Sequence, residues 1–225
     1  MIAPLQPKVV SFDVFGTLVD VREGSRAAFT RILRESRGGH IDALEFWEQW
    51  ERVNIRHYLG SYRSYREICR ASLVQTFAKF GLQGDPEAIQ MYFDAFPGFK
   101  RFSDVDTVLD RLAGKYRLVL VSNIDDDLLA ETALGRRFDL VCTAELARGY
   151  KPDGTLFRYL LAVSGCQAAE VFHSGQSQFT DLVGGKPVGL TIAWINRRGL
   201  QLGAGVPAPD YEFRDLTPLL DLLQH

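Results

Sequence analysis

Val9-Val10-Ser11-Phe12-Asp13-Val14-Phe15-Gly16-Thr17-Leu18 is the stretch whose reading decides the fold. Val9 to Asp13 read as a short buried strand with a carboxylate at its C-terminal end. Gly16-Thr17 reads as the sharp turn after it, where glycine takes backbone conformations closed to bulkier residues. Ligands of open α/β sheets bind outside the carboxyl ends of the strands, which makes Asp13 a candidate nucleophile. Taken alone, Asp-x-x-Gly-Thr is equally an ordinary strand-to-loop turn, and the rest of the chain has to decide.

Working outward, the residues from about Glu23 to Asp94 turn helical. Tyr65, Ile68, Cys69, Ser72, Leu73, Thr76, Phe77 and Phe80 recur at i, i+3, i+4, i+7 spacing, with Gly81 as a C-cap. An aromatic-rich helix around Phe46, Trp47, Trp50, Val53 and Tyr58 precedes it, and Pro86 opens another. No strand-like run interrupts this block, so it reads as an inserted helical domain over residues 21–97, closed by the turn signal Pro97-Gly98. From Asp104 the pattern alternates. Helical stripes at Val105–Leu112, Leu128–Leu134 and Leu156–Val163 separate apolar runs at Leu118–Val121, Leu140–Cys142, Val171–His173 and Gly189–Ile195. A Gly- and Pro-rich loop over Gly199–Pro209, a strand near Tyr211–Phe213 and a helix from Thr217 complete the chain. Such alternation predicts an α/β fold, a doubly wound parallel sheet built from residues 1–20 and 98–225.

Composition narrows the partners. A formal net charge of −2 gives no electrostatic reason to expect nucleic acid or an anionic membrane. No run of eighteen apolar residues occurs, and Met1 to Pro7 lacks the regions of a signal peptide, so a cytoplasmic protein is expected. Cys69, Cys142 and Cys166 are odd in number and far apart, suiting neither a disulfide framework nor zinc, and His40, His57, His173 and His225 show no metal-ligand spacing.

Four strand ends carry polar residues: Asp13, Ser122-Asn123, Lys151 and the segment Gln176 to Asp181. Ser122 and Asn123 suit a helix N-cap and, equally, an anion site. Lysines usually point to solvent, but Pro152 restricts Lys151 to an extended backbone, a way to aim its side chain. Asp181 also suits the N-terminus of a helix. His173 reads as a packed, neutral residue.

The order Asp13, Ser122, Lys151, Asp181 resembles the four motifs of the haloacid dehalogenase superfamily, and the resemblance spans nearly the whole chain. It is strongest to the L-2-haloacid dehalogenase branch, through Phe12-Asp13-Val14-Phe15-Gly16-Thr17-Leu18, Ser122-Asn123, Tyr150-Lys151-Pro152-Asp153 and Trp194-Ile195-Asn196-Arg197-Arg198-Gly199. The resemblance implies a Rossmann-like core with a helical cap. Superfamily phosphatases carry Asp-x-Asp in the first motif, where the second carboxylate protonates the leaving alcohol. Phe15 stands there and cannot transfer a proton, whereas halide leaves as a weak base. Asp13 with Asp181 alone is also a poor oxygen set for Mg²⁺, so no metal or cofactor is expected. The implied chemistry is covalent: Asp13 displaces halide from a small 2-haloacid, and water cleaves the resulting aspartyl ester. Lys151 would stabilise charge at Asp13, Asp181 would activate the water, Thr17 would hydrogen-bond the nucleophile, and Phe15 would line the substrate site. Ser122 and Asn123 would hold the substrate carboxylate. Arg52, with Arg56 as its rival, is the candidate for a cap arginine near the halide, though either reads equally as a solvated helix residue. A homodimer is implied by resemblance alone.

Three positions depart from the branch: Phe157 replaces a tyrosine, and Gln176 and Gln178 replace a serine and an asparagine. The Gln amides still suit hydrogen bonds to water or substrate. The substrate is left open among ordinary 2-haloacids, fluoroacetate and unhalogenated electrophiles. Two other functions stay open: hydrolysis of a phosphate ester or strained C–N bond on the same fold, and a catalytically silent binding protein.

Overall fold

The structure, a computed structural model, describes residues 7–223. Met1–Gln6, which carry most of the signal-peptide reading, and His225 lie outside the described residues. The main elements, in chain order, are β1 (Val9–Phe12), α1 (Val21–Glu35), α2 (Ala43–Arg56), α3 (Tyr65–Lys79), α4 (Gln90–Phe93), α5 (Val105–Leu112), β2 (Arg117–Ser122), α6 (Asp126–Glu131), β3 (Leu140–Thr143), α7 (Ala144–Ala147), α8 (Thr155–Ser164), β4 (Val171–Gly175), β5 (Thr191–Ile195) and β6 (Tyr211–Phe213). They form two compact units. One comprises Met1–Val19, Arg101–Asn123 and Leu134–His225; the other comprises Asp20–Lys100 and Ile124–Ala133.

The first unit is built on a six-stranded sheet in the order β3-β2-β1-β4-β5-β6. Every adjacent pair is parallel, as expected for strands that read as continuous apolar runs. The chain leaves β1 for β2 and β3 on one side and later returns to β4, β5 and β6 on the other. That reversal beside β1 is where an open α/β sheet forms a crevice. One face of the sheet, with Val9, Val119, Val121, Val171, Ile192 and Trp194, packs on Leu156, Phe157 and Leu160 of α8. Each such side chain contributes about 1.5–3 kcal/mol on burial, and together they hold the strand ends that carry the polar residues.

The second unit is helical. Asp20 and Asp42 cap α1 and α2, and Ser64 with Glu67 forms a capping box at the start of α3. The predicted stripe of α3 is buried from Tyr65 to Phe77, and Gly81 follows at φ +67°. Its core is aromatic, with Phe29 against Trp50 at 5.2 Å and against Tyr92 at 5.6 Å. The Asp125 carboxylate accepts hydrogen bonds from the Tyr65 and Arg66 backbone N–H groups at 2.7 and 3.0 Å. This contact groups Ile124–Ala133 with the helical unit, a segment that the sequence reading leaves within residues 98–225. Among the described residues no helix is long and apolar enough to cross a membrane.

Candidate active site

Asp13 follows β1 directly, and its backbone N–H donates to Ser174 O at 2.9 Å, which anchors it to β4. The next turn needs Gly16, at φ +87°: a Cβ there would lie 2.9 Å from Gln176 Cγ and Cδ. The turn brings Thr17 back so that its Oγ1 donates to Asp13 Oδ2 at 2.8 Å while accepting the Gln176 backbone N–H at 2.9 Å. Behind it, the Arg197 guanidinium donates to Thr17 O at 2.8 and 3.2 Å and grips Asp104 at 2.8 and 3.0 Å. It also covers the Phe102 ring at 4.0 Å. Arg197 thus ties the segment after β5 to the Asp13–Thr17 turn, a role that its sequence alone does not reveal.

Lys151 is fully buried and directed at Asp13. Its Nζ donates to Asp13 Oδ1 at 2.5 Å, Asp181 Oδ1 at 2.8 Å and Val121 O at 3.3 Å. An ammonium has three hydrogens, so each has an acceptor. The expected mode of aiming needs correction: Lys151 is not extended but opens a 3-10 turn, Lys151–Asp153, and the extended residue is Tyr150. The turn is held by Asn123 Oδ1, which accepts the Lys151 backbone N–H at 2.9 Å. Gly184 packs so closely that a Cβ there would stand 1.8 Å from Lys151 O.

Asp181 lies in a π-helical turn, Gln178–Leu182, that follows β4. The wider turn is a common device at functional sites; here it carries the carboxylate back over Gly175, where a Cβ would meet Asp181 Cγ at 2.3 Å. Asp181 Oδ2 accepts the Ser177 N–H at 2.9 Å, and Oδ1 is shared between Lys151 and His173 Nε2, the latter at 3.2 Å. The expected contact with a helix start is therefore present, and Lys151 is a further partner of the same carboxylate that the sequence reading did not foresee.

Burial is the largest influence on all three charges. It pushes the Asp13 carboxyl above the ordinary aspartate range, with the Asp181 charge adding to it and Lys151 and Thr17 opposing. For Asp181 burial is outweighed by Lys151 and by the His173 hydrogen bond, so it falls well below that range. For Lys151 burial is outweighed by the two carboxylates, so it stays protonated. In the resting site Lys151 is thus held cationic and Asp181 anionic, and burial works against the charge on Asp13.

The remaining candidates are distributed unevenly. Ser122 closes β2, fully buried, and its Oγ has no hydrogen-bond partner among the described residues. The N-cap reading of Ser122 and Asn123 does not hold, because α6 starts at Asp126 behind Asp125. Phe15 is half-buried at the turn. Gln176 lies over Gly16, beside Thr17. Gln178 faces elsewhere: its amide donates to Gln201 O and accepts the Gly203 N–H, both at 2.8 Å, which clamps the Gly-rich loop. Arg52 and Arg56 lie on α2 of the helical unit, both exposed. Among the described residues no three His, Cys, Asp or Glu side chains converge as metal ligands.

The sequence reading missed the full part of His173. Besides packing edge-on to Phe157, at 4.9 Å and 78°, it bonds Asp181 and, through Nδ1, Ser11 Oγ at 2.9 Å. A signal did exist: Ser11 and His173 are polar residues inside apolar strands, and they are register partners in the sheet.

Comparison with known proteins identifies the family. Residues 7–189 match the haloacid dehalogenase-like hydrolase family. The chain is 28% identical over 193 residues to an (S)-2-haloacid dehalogenase of Xanthobacter autotrophicus, covering 84% of this chain and 75% of that one. It is 25% identical over 222 residues to an (S)-2-haloacid dehalogenase of Pseudomonas sp. strain YL, covering 96% and 94%. The L-2-haloacid dehalogenase of Xanthobacter autotrophicus with chloropropionic acid covalently bound superposes with a TM-score of 0.83 at 23% identity, over 97% of this chain and 99% of that one. With a parallel sheet of this order, polar residues converging at its carboxyl edge and a family match over most of its length, the chain belongs to the haloacid dehalogenase-like hydrolases.

Proposed function

We propose that the protein hydrolyses the carbon–halogen bond of a small 2-haloacid through an ester formed on Asp13. One observation carries this reading. The buried Asp13 carboxylate, held by Thr17 and Lys151, has Phe15 two residues on, where proton donation to a leaving alcohol would require an acid. Halide requires none.

In the first step an Asp13 carboxylate oxygen attacks the halogen-bearing carbon, a C–O bond forms, and the halide departs with the C–X electron pair. In the second step water adds its oxygen to Asp13 Cγ and gives one proton to Asp181. The ester C–O bond then breaks, the proton on Asp181 passes to the departing 2-hydroxy-acid oxygen, and the second proton of the water leaves the Asp13 carboxyl for solvent. Lys151, with all three hydrogens engaged, bridges the two carboxylates and offsets charge that develops on Asp13. The unpartnered Ser122 hydroxyl supports its assignment to the substrate carboxylate. Asn123 would serve there through its Nδ2 while its Oδ1 holds Lys151. Gln176, Phe15 and one cap arginine, Arg52, would line the substrate, and the helical unit would act as the cap. The reading needs no cofactor, and it extends to a cytoplasmic homodimer whose partners are the haloacid and water.

Halide release from purified protein tests it, with the 2-chloropropionate enantiomers, chloroacetate and fluoroacetate as substrates, EDTA present and Asp13→Asn as control. Release that survives EDTA and is lost in the variant is the expected result. Absence of release, with metal-dependent hydrolysis of a phosphate ester, would overturn it.

A further inference from the structure

We propose that His173, fixed by Ser11, is a positioning residue for the water-dependent step: it occupies Asp181 Oδ1, so that Oδ2 is the oxygen that takes the proton from water. The inference rests on the ester mechanism above and extends it to residues that this mechanism does not use.

Hydrogen-bond capacity carries the assignment. A carboxylate only accepts, so His173 Nε2 bears the hydrogen toward Asp181, while Nδ1 pairs with Ser11 Oγ at 2.9 Å, a hydroxyl that also lies 3.5 Å from Phe172 O. Oδ1 then has two donors, Lys151 Nζ at 2.8 Å and His173 Nε2 at 3.2 Å, whereas Oδ2 has one, Ser177 N at 2.9 Å. Only Oδ2 keeps a lone pair for a proton. Without the imidazole each oxygen would have one donor, Lys151 Nζ on Oδ1 and Ser177 N on Oδ2, and Oδ1 would be as available as Oδ2. The imidazole itself has little freedom. It is fully buried, clasped by Ser11 and faced edge-on by the Phe157 ring. Phe157 offers no hydroxyl that could compete for Nε2 or for Asp181. The first step does not use Asp181 as a base, so the effect falls on ester hydrolysis alone.

The test is rapid-quench kinetics with 2-chloropropionate, reading halide and, by mass spectrometry, the adduct on the Asp13 peptide. In His173→Leu the burst of about one halide per chain should keep the wild-type rate. Steady-state turnover should fall about ten- to a hundredfold, as for loss of a buried bond to a charged group, and the ester should accumulate. His173→Gln, which restores a donor near Nε2, should recover most of the turnover. Ser11→Ala should shift the balance in the same direction, less strongly. Wild-type turnover in His173→Leu overturns the proposal; so does an equal fall of burst and steady state without recovery in His173→Gln. If His173→Leu fails to fold, Ser11→Ala decides, and an unchanged ratio of burst to steady state in that variant overturns it. A wild-type enzyme that yields neither halide nor adduct overturns the ester mechanism, and this inference with it.

Discussion

Lys151→Met removes the charge at the centre of the site and keeps most of the aliphatic stem. Asp13 and Asp181 remain buried, at 6% and 0% exposure. Both lie within 2.8 Å of the lost nitrogen, so they are roughly 5 Å apart, a spacing at which two unit charges repel by about 3 kcal/mol at an effective permittivity of about 20. Removing one partner of a buried ion pair typically costs about 3–5 kcal/mol, and stability at pH 7 should fall by that amount. The pH dependence follows from the sign of the change. Without the cation both carboxyls move upward in the folded state. A carboxyl raised on folding costs stability above its unfolded value, and the cost fades as pH falls through the raised value. The loss should therefore shrink between pH 7 and pH 5. Adding Asp181→Asn, which removes one of the facing charges, should recover at least half of it. Urea denaturation followed by tryptophan fluorescence reads all three proteins at both pH values. A Lys151→Met protein within about 1 kcal/mol of wild type at pH 7, or equally destabilised at both pH values, would refute the reasoning.

Other consequences are smaller. Thr17→Val removes the donor to Asp13 Oδ2 and the acceptor of the Gln176 N–H; turnover should fall about ten- to a hundredfold with the circular dichroism spectrum retained, and a change under about twofold would contradict that role. Gly16→Ala forces a side chain into φ +87° against Gln176 and should cost at least about 1–2 kcal/mol, read as a lower melting temperature; an unchanged value would contradict the turn geometry. Because burial raises Asp13, the acid limb of kcat/KM should fall above the ordinary aspartate range, activity being lost as Asp13 gains a proton. A limb at or below that range would contradict the raised carboxyl.

The strands were legible because their burial on both faces leaves continuous apolar runs, as in Leu118–Val121, and the helix of Tyr65 to Phe77 was legible from its period. Asp13, Lys151 and Asp181 were legible as strand-end polar residues in a recurring order. Their geometry was not. The acceptors of Lys151 come from three separate segments, at Asp13, Val121 and Asp181. The Ser11–His173 bond joins residues 162 positions apart and depends on the pairing of β1 with β4. Gln178 illustrates the converse: the family resemblance placed it by the substrate, but loop packing engages its amide with Gln201 and Gly203. No local pattern encodes which of two neighbours a long amide will meet.

The central claim is that Asp13 itself is alkylated and then hydrolysed. A single turnover in H₂¹⁸O, with enzyme in excess over a 2-haloacid, tests this most directly. The account predicts one ¹⁸O in the Asp13 carboxylate and none in the newly formed hydroxyl of the product. Label in the product hydroxyl, with Asp13 unlabelled, would mean that water attacks the substrate directly, and would contradict it.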